Sequence, residues 1–242
     1  MCGRYVLPDE EAIVELWKLV LGSGLRSILP RYNVAPTTPV PILIRGASGT
    51  LEARIARWGL IPEWWTKDAP PALAFNARAE EAAAKPLWRD SLKTRRCLLP
   101  ARGWYEWNAA QPLEGRKGNQ PCFLHCPNAP VFAFAGLWSP RGTGGAGEPA
   151  ASCAVLTGPA APAVAAIHPR MPAVLKPEQE AAWLDPAAPP EEVRRILGGV
   201  RQDLAAHPVD PRVGSLRHDD PGLMEPVVRR ATGSLFPTDP PE

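Results

Sequence analysis

The chain has 242 residues, of which 45% are hydrophobic and 21% charged, a balance typical of a globular protein with a sizeable core. Its formal net charge of +2 is too small to indicate a nucleic-acid binder by itself, although a local basic groove is compatible with it. The chain has neither an apolar run near the roughly 18–20 residues that span a bilayer nor a signal-peptide pattern, so we expect a cytoplasmic protein without membrane contact.

The cysteines form a sparse, odd-numbered set: Cys2, Cys97, Cys122, Cys126 and Cys153. This pattern argues against a disulfide framework and for a reducing compartment. Cys122 and Cys126 share one face of a predicted strand, but zinc needs further ligands that the neighbouring sequence does not supply. We therefore expect no metal site and no cofactor.

Hydrophobic periodicity predicts many short strands and a few helices. Residues 9–21 have apolar side chains at helical spacing, and residues 40–60 read as a hairpin with a Gly/Ser turn. The other predictions, in chain order, are a strand running into a helix over 73–88, strands within 97–107, 121–126, 131–138 and 152–158, helices near 177–184 and 190–198, and a late strand within 204–213.

This element order predicts one α+β domain over residues 1–230, with a curled, mostly antiparallel, barrel-like sheet flanked by short helices. Residues 231–242 are predicted to be a disordered tail. The glycine run at 142–147 matches a dinucleotide-binding pattern, but Glu148 and Pro149 follow it instead of a helix, which favours a loop.

Two polar motifs lie near predicted strand ends. In FNARAE (75–80), Asn76 ends a strand while Arg78 and Glu80 begin a helix, and helix capping alone would explain these residue types. In IHPRMP (167–172), two prolines bracket His168 and Arg170. A lone histidine is usually structural, but this bracketing suggests a rigid polar site.

Aromatic residues surround a carboxylate in GWYEWN (103–108). Trp104, Glu106 and Asn108 alternate onto one face of the predicted strand. Glu106 is either an exposed strand residue or, in a desolvated site, a carboxyl with a raised pKa that suits proton transfer. Trp64 and Trp65 lie on a proline-bounded loop, where they either join the core or stack on bases.

The N-terminus carries the most unusual arrangement. Removal of Met1 would leave Cys2 with a thiol and a free α-amine, whose unperturbed pKa values are about 8.5 and about 7.7–8.0. Taken alone, a Met-Cys start is more simply an exposed or disordered terminus.

Considered together, the motifs form an ordered set that extends over roughly residues 1–230. They are MCGRY (1–5), RYNVAP (31–36), WGLIPEWW (58–65), NARAE (76–80), KPLW (85–88), GWYEW (103–107), IHPRMP (167–172) and HPV (207–209). This ordered set resembles the SRAP family (SOS-response-associated peptidase, abasic-site processing). The segment 213–224 is looser than the family pattern and is given no role.

The resemblance implies a chemistry for Cys2. Family members form a covalent link to abasic sites in single-stranded DNA through this cysteine, whose amine and thiol close a thiazolidine on the sugar aldehyde. It further implies self-processing peptidase activity that removes Met1, and an associated lyase activity. By resemblance, Asn76, Glu106 and His168 join Cys2 as catalytic residues.

The resemblance also implies a set of DNA contacts: Arg4, Asn33, Trp64, Trp65, Arg78 and Arg170. The expected partner is single-stranded DNA that contains abasic sites, and the expected oligomeric state is a monomer.

Two other functions remain open from the residues alone. MCG also begins class II glutamine amidotransferases, in which a terminal cysteine attacks an amide, although those chains usually carry a partner synthase domain. The second is a non-covalent single-stranded DNA-binding module, in which Cys2 has no chemical role.

Overall fold

The computed structural model describes residues 2–19, 23–26, 28–67, 74–113, 115, 117–143 and 149–227. The strands there are β1 (Tyr5–Leu7), β2 (Arg31–Val34), β3 (Pro39–Arg45), β4 (Leu51–Trp58), β5 (Asn76–Arg78), β6 (Arg96–Ala101), β7 (Gly103–Pro112), β8 (Asn119–His125), β9 (Phe132–Ser139), β10 (Ala151–Pro159), β11 (Arg170–Pro172) and β12 (Ala205–Pro208). The helices are α1 (Glu10–Trp17), α2 (Ser23–Arg26), α3 (Ala79–Ala82), α4 (Pro86–Thr94), α5 (Pro177–Leu184) and α6 (Pro190–Gly198), with 3₁₀ turns at Pro211–Gly214 and Pro221–Met224.

Five strands close into a barrel. β10 pairs with β4, and the ring continues through β3, β6 and β9 back to β10. All of these pairings are antiparallel except that of β4 with β10, which is parallel. The closed ring confirms the predicted α+β fold with a curled, mostly antiparallel, barrel-like sheet.

A second antiparallel sheet, in the order β12-β8-β7-β1-β2, packs against the barrel. Tyr5 of β1 meets Trp58 of the barrel edge to face at 5.0 Å between ring centroids, and Trp104 of β7 meets Phe134 of the barrel at 5.9 Å. Tyr105, the next residue of β7, packs into a separate cluster on the opposite face. The predicted alternation along β7 is thus confirmed, and the face of Trp104 points into the main core.

Strand β10 positions the candidate site, because it extends beyond the barrel. Its first half pairs with β4, where Cys153 lies opposite Trp58. Its second half lies between β5 and β11, with Val155 opposite Asn76 and Pro159 opposite Arg170. The NARAE and IHPRMP motifs, which are about 90 residues apart in sequence, therefore flank a single strand.

Some predicted boundaries are wrong for local reasons. α1 starts after Asp9, whose carboxylate accepts the Ala12 N–H at 2.9 Å, but it ends at Trp17 and not at residue 21, because Lys18 adopts a left-handed conformation with φ 53°. The helix predicted up to residue 88 is two helices, and the second begins at Pro86, which is suited to a first helical turn.

Other predictions are confirmed. The 40–60 hairpin is β3–β4, with Gly49 at φ +80° in its turn, and α5, α6 and β12 lie where expected. In the described ranges no helix combines the length and the apolar character needed to cross a membrane. The tail 231–242 and residues 144–147 of the glycine run lie outside the described residues.

Candidate active site

Cys2 lies three residues before β1, the strand between β2 and β7. Its side chain is fully buried, and its Sγ lies 3.8 Å from the carbonyl oxygen of Arg4. Burial raises the pKa of the Cys2 thiol well above its usual value, and the negative charge of Glu106 raises it further. The raised pKa favours the protonated thiol, so a nucleophilic role for Cys2 would require a group that removes the proton.

Asn76 holds the backbone of Cys2. Its Nδ2 donates to the Cys2 carbonyl oxygen at 2.7 Å, across 74 residues of sequence. Its Oδ1 is buried and accepts no hydrogen bond within the described part of the chain. Asn76 belongs to β5 and the N-cap of the following helix is Arg78, so Asn76 does not cap that helix.

Glu106 lies on the core-facing side of β7 and is only 4% exposed. Burial raises the pKa of the Glu106 carboxyl, while its electrostatic interaction with His168 acts in the opposite direction. Because Glu106 interacts electrostatically with both Cys2 and His168, the three side chains form one cluster. A carboxyl whose pKa is raised towards neutrality is suited to proton transfer.

His168 lies on the turn that joins β10 to β11. The turn is closed by hydrogen bonds from the N–H groups of Ile167 and His168 to the carbonyl of Val164. Nδ1 of His168 lies 3.0 Å from the backbone nitrogen of Arg170 and 2.9 Å from its carbonyl oxygen. The backbone of Arg170 thus engages Nδ1 and fixes the orientation of the imidazole ring.

The structure thus brings together all four residues that the sequence predicted to be catalytic: Cys2, Asn76, Glu106 and His168. They come from the start of β1, from β5, from β7 and from the β10–β11 turn, and the arrangement depends on sheet pairing. Their chemical roles remain predictions. Among the described residues no three His, Cys, Asp or Glu side chains are grouped so as to hold a metal ion.

Three arginines that were predicted to contact DNA lie on the same elements. Arg4 directly precedes β1 and is partly buried, which lowers its pKa. Arg78 is opposite Thr157 of β10 and makes a 3.1 Å ion pair with Glu81. Arg170 starts β11 and forms an ion pair with Glu80. Arg78 and Arg170 therefore lie on the two strands that flank β10.

Trp64 and Trp65 lie on an excursion between β4 and β5. Their ring centroids are 6.0 Å apart, and Trp64 is 52% exposed. At the two ends of the excursion, the Gly59 N–H donates to the carbonyl of Cys153 and the Leu60 N–H to the carbonyl of Ala74. The excursion thus starts and ends beside β10, next to the strand that carries Asn76.

The structure does not support the predicted DNA contact at Asn33. This residue is 2% exposed, and its Nδ2 donates to the carbonyls of Val213, Ser215 and His218 at 3.1, 3.1 and 2.9 Å. The backbone N–H of Asn33 donates to Asp219 at 2.9 Å. Asn33 therefore fastens the 213–219 segment to β2, and this accounts for a segment that the sequence left without a role.

Replacing Asn33 with alanine is expected to lower the free energy of unfolding by about 2–3 kcal/mol, because the two Nδ2 hydrogens, shared among three carbonyls, make bonds of about 1 kcal/mol each and their loss leaves buried carbonyl oxygens unpaired. Urea denaturation measures this effect. The control Asn128→Ala changes an exposed residue and should shift stability by no more than about 0.5 kcal/mol. If Asn33→Ala keeps wild-type stability but loses DNA affinity, Asn33 is a DNA contact after all.

Sequence reasoning gave no role to two residues at this site. Glu80 lies within NARAE and Thr157 lies on β10; both bind the guanidinium of Arg170. The motif offered a signal for Glu80, but no local pattern marks Thr157. Its contact spans 13 residues and arises only from the pairing of β10 with β11.

Comparison with known proteins shows the family. The profile of the family described as SOS response associated peptidase (SRAP) matches residues 1–216. The chain therefore belongs to the SRAP family.

Two relatives carry the name abasic site processing protein. YoqW of Bacillus subtilis is 32% identical over 228 residues, which cover 93% of this chain and 99% of YoqW. YedK of Escherichia coli is 31% identical over 242 residues, which cover 94% of this chain and all of YedK (100%). A solved structure from Bacteroides thetaiotaomicron shares the fold with a TM-score of 0.77 at 22% identity, over 94% of this chain and 100% of that chain.

Proposed function

We propose that this chain processes abasic sites in single-stranded DNA by forming a covalent crosslink through Cys2. The observation that carries the proposal is the convergence of Asn76, Glu106 and His168 on Cys2, the residue that follows Met1. Relatives named as abasic site processing proteins support it, and two of them match over nearly their whole length.

The proposed reaction joins one aldehyde to the amine and the thiol of a single residue. Once Met1 is removed, the α-amine of Cys2 attacks the aldehyde carbon of the ring-opened deoxyribose, and loss of one water leaves a Schiff base. The thiol then adds to the same carbon; a carbon–sulfur bond forms and the thiol proton passes to the nitrogen. The product is a five-membered thiazolidine, and the intramolecular closure gives a high effective molarity.

The neighbouring side chains suit the proton transfers of this reaction. Asn76 fixes the Cys2 backbone through its Nδ2, while its Oδ1 offers an acceptor for the amine. Glu106 would take protons from the amine and the thiol and return one to the departing water. His168 would exchange a proton with the sugar oxygen through Nε2 as the ring opens.

Met1 removal is part of the proposal, by the chain itself or by an aminopeptidase. A Schiff base that the thiol does not capture is open to β-elimination, which would appear as lyase activity. We further propose that the chain acts as a monomer in a reducing compartment such as the cytoplasm. Its five cysteines are all buried free thiols, which fits such a compartment.

A denaturing gel of the protein with abasic single-stranded DNA tests the proposal. A shifted band that survives denaturant and heat is expected. A shift that denaturant abolishes would favour the non-covalent binding module. Release of ammonia from glutamine without a crosslink would favour an amidotransferase. The match to the SRAP profile supports the crosslinking function over both alternatives.

Binding is expected to be salt-sensitive and selective for single strands, because Arg4, Arg78 and Arg170 would contact phosphates. Three or four such contacts give a log–log salt slope of about −2 to −3 for a single strand. Fluorescence anisotropy with undamaged oligonucleotides measures this slope.

The matched pair of variants for this measurement is Arg78→Gln and Arg54→Gln. Arg54 is also an exposed, ion-paired arginine, but it lies on β4 beside Glu52. Arg78→Gln should reduce the slope by about 0.7, and Arg54→Gln should leave it unchanged. Equal affinity for intact duplex, or equal effects of the two variants, would contradict the proposed DNA path.

A further inference from the structure

The guanidinium of Arg170 is engaged on two sides. Its Nη1 and Nη2 lie 2.5 and 3.1 Å from the two carboxylate oxygens of Glu80. Nη2 also donates to the carbonyl oxygen of Thr157 at 2.8 Å and lies 3.3 Å from the Thr157 hydroxyl. The Arg170 side chain is 17% exposed and that of Glu80 is 51% exposed. One side of the guanidinium is thus fixed to β10, while the other meets a carboxylate that reaches solvent.

A carboxylate and a phosphate bind a guanidinium in the same way, through two parallel N–H···O bonds. The hydrogen bond from Arg170 lowers the pKa of Glu80, so this carboxyl is ionised at neutral pH. The two nitrogens that Glu80 occupies are the ones that a DNA phosphate would need. Glu80 and a phosphate therefore compete for Arg170.

We propose that Glu80 is a specificity-determining residue that occupies Arg170 until a DNA phosphate displaces it. The inference rests on the proposed function, since it takes single-stranded DNA as the ligand. Displacement of the carboxylate opposes the binding of every strand, damaged or not. Strands that also react with Cys2 are retained covalently, and so the competition mainly shortens the residence of undamaged DNA.

Loss of the Glu80 carboxylate should change the affinity for DNA without changing the crosslinking reaction. The backbone of Arg170 is held by the pairing of β11 with β10, and this backbone, not the side chain, contacts Nδ1 of His168. Loss of Glu80 therefore leaves His168 in place. The predicted signature is a change in affinity with an unchanged maximal rate of crosslinking.

The test compares Glu80→Gln with Glu192→Gln. Glu192 also pairs with an arginine through two bonds, to Arg195 at 2.7 and 2.6 Å, but it lies on α6. Glu80→Gln should bind an undamaged single strand about two- to fivefold more tightly, the range of a partly exposed ion pair. Its salt slope should steepen by about 0.7, and its crosslinking rate at saturating abasic DNA should stay within about twofold of wild type. Glu192→Gln should change none of these quantities.

The same measurements in an Arg170→Gln background complete a double-mutant cycle. There Glu80→Gln should no longer tighten binding, because no guanidinium remains to be released. Unchanged or weaker binding by Glu80→Gln alone, or an equal gain without Arg170, overturns the inference while leaving the proposed function standing. A wild-type protein that fails to bind single-stranded DNA overturns the proposed function, and the inference with it.

Discussion

Replacing Cys2 with serine is expected to abolish the crosslink that survives heat and denaturant. With Met1 removed, the Cys2→Ser variant keeps the α-amine and still forms a Schiff base, but a serine hydroxyl is too weak a nucleophile at neutral pH to close a stable ring. Borohydride should then trap an adduct that is otherwise lost in denaturant. Strand cleavage by β-elimination should increase, because no thiol captures the imine.

A chain with one extra residue left before Cys2 should also fail to form the stable crosslink, for the complementary reason. The thiol survives, but the nitrogen of Cys2 is a peptide nitrogen and cannot form the imine. The control Cys126→Ala removes another buried thiol, from the end of β8, and should crosslink like wild type. A heat-stable, borohydride-independent crosslink from either N-terminal variant would show that the reactive pair lies elsewhere.

Replacing Glu106 with glutamine is expected to slow crosslinking by about 10²–10⁴-fold, the usual contribution of a general acid or base. Glutamine keeps the size of the side chain but cannot exchange a proton. The affinity for undamaged DNA should stay nearly unchanged, because the proposed phosphate contacts are arginines. Single-turnover crosslinking kinetics and anisotropy measure the two quantities separately.

Glu180→Gln is the matched control for this variant. Glu180 is also a carboxyl whose pKa is raised by partial burial, but it lies on α5 and accepts the indole N–H of Trp17 at 2.7 Å. A glutamine there can keep that hydrogen bond, so crosslinking should not change. Equal rates in Glu106→Gln and wild type would make Glu106 a structural residue of β7.

The four candidate catalytic residues could be selected from the sequence because they belong to short motifs that form an ordered set. Taken singly, the Met-Cys start, the carboxylate among aromatics in GWYEW and the proline-bracketed His168 each had a structural explanation as well. Only the order of the motifs along the chain, through its resemblance to the SRAP family, predicted their chemical roles. The curled α+β sheet followed from the number and shortness of the apolar runs. What these patterns could not supply was the closure of the barrel through β10 and the placement of two motifs on either side of that strand.

The features that the sequence did not predict depend on contacts distant in sequence or on single backbone conformations. Asn33 belongs to a motif, but its amide is engaged by carbonyls about 180 residues away. α1 ends early because one residue, Lys18, turns left-handed, and periodicity carries no information about that. The ion pair between Glu80 and Arg170 depends on where β11 pairs, which no local pattern encodes.

The intact mass of the protein after incubation with an abasic oligonucleotide tests the central claim most directly. We predict one covalent species, with the mass of the chain without Met1 plus that of the DNA minus one water, and peptide mapping should place the adduct on Cys2. A covalent species that retains Met1, an adduct on another residue, or only the two unreacted masses would contradict it.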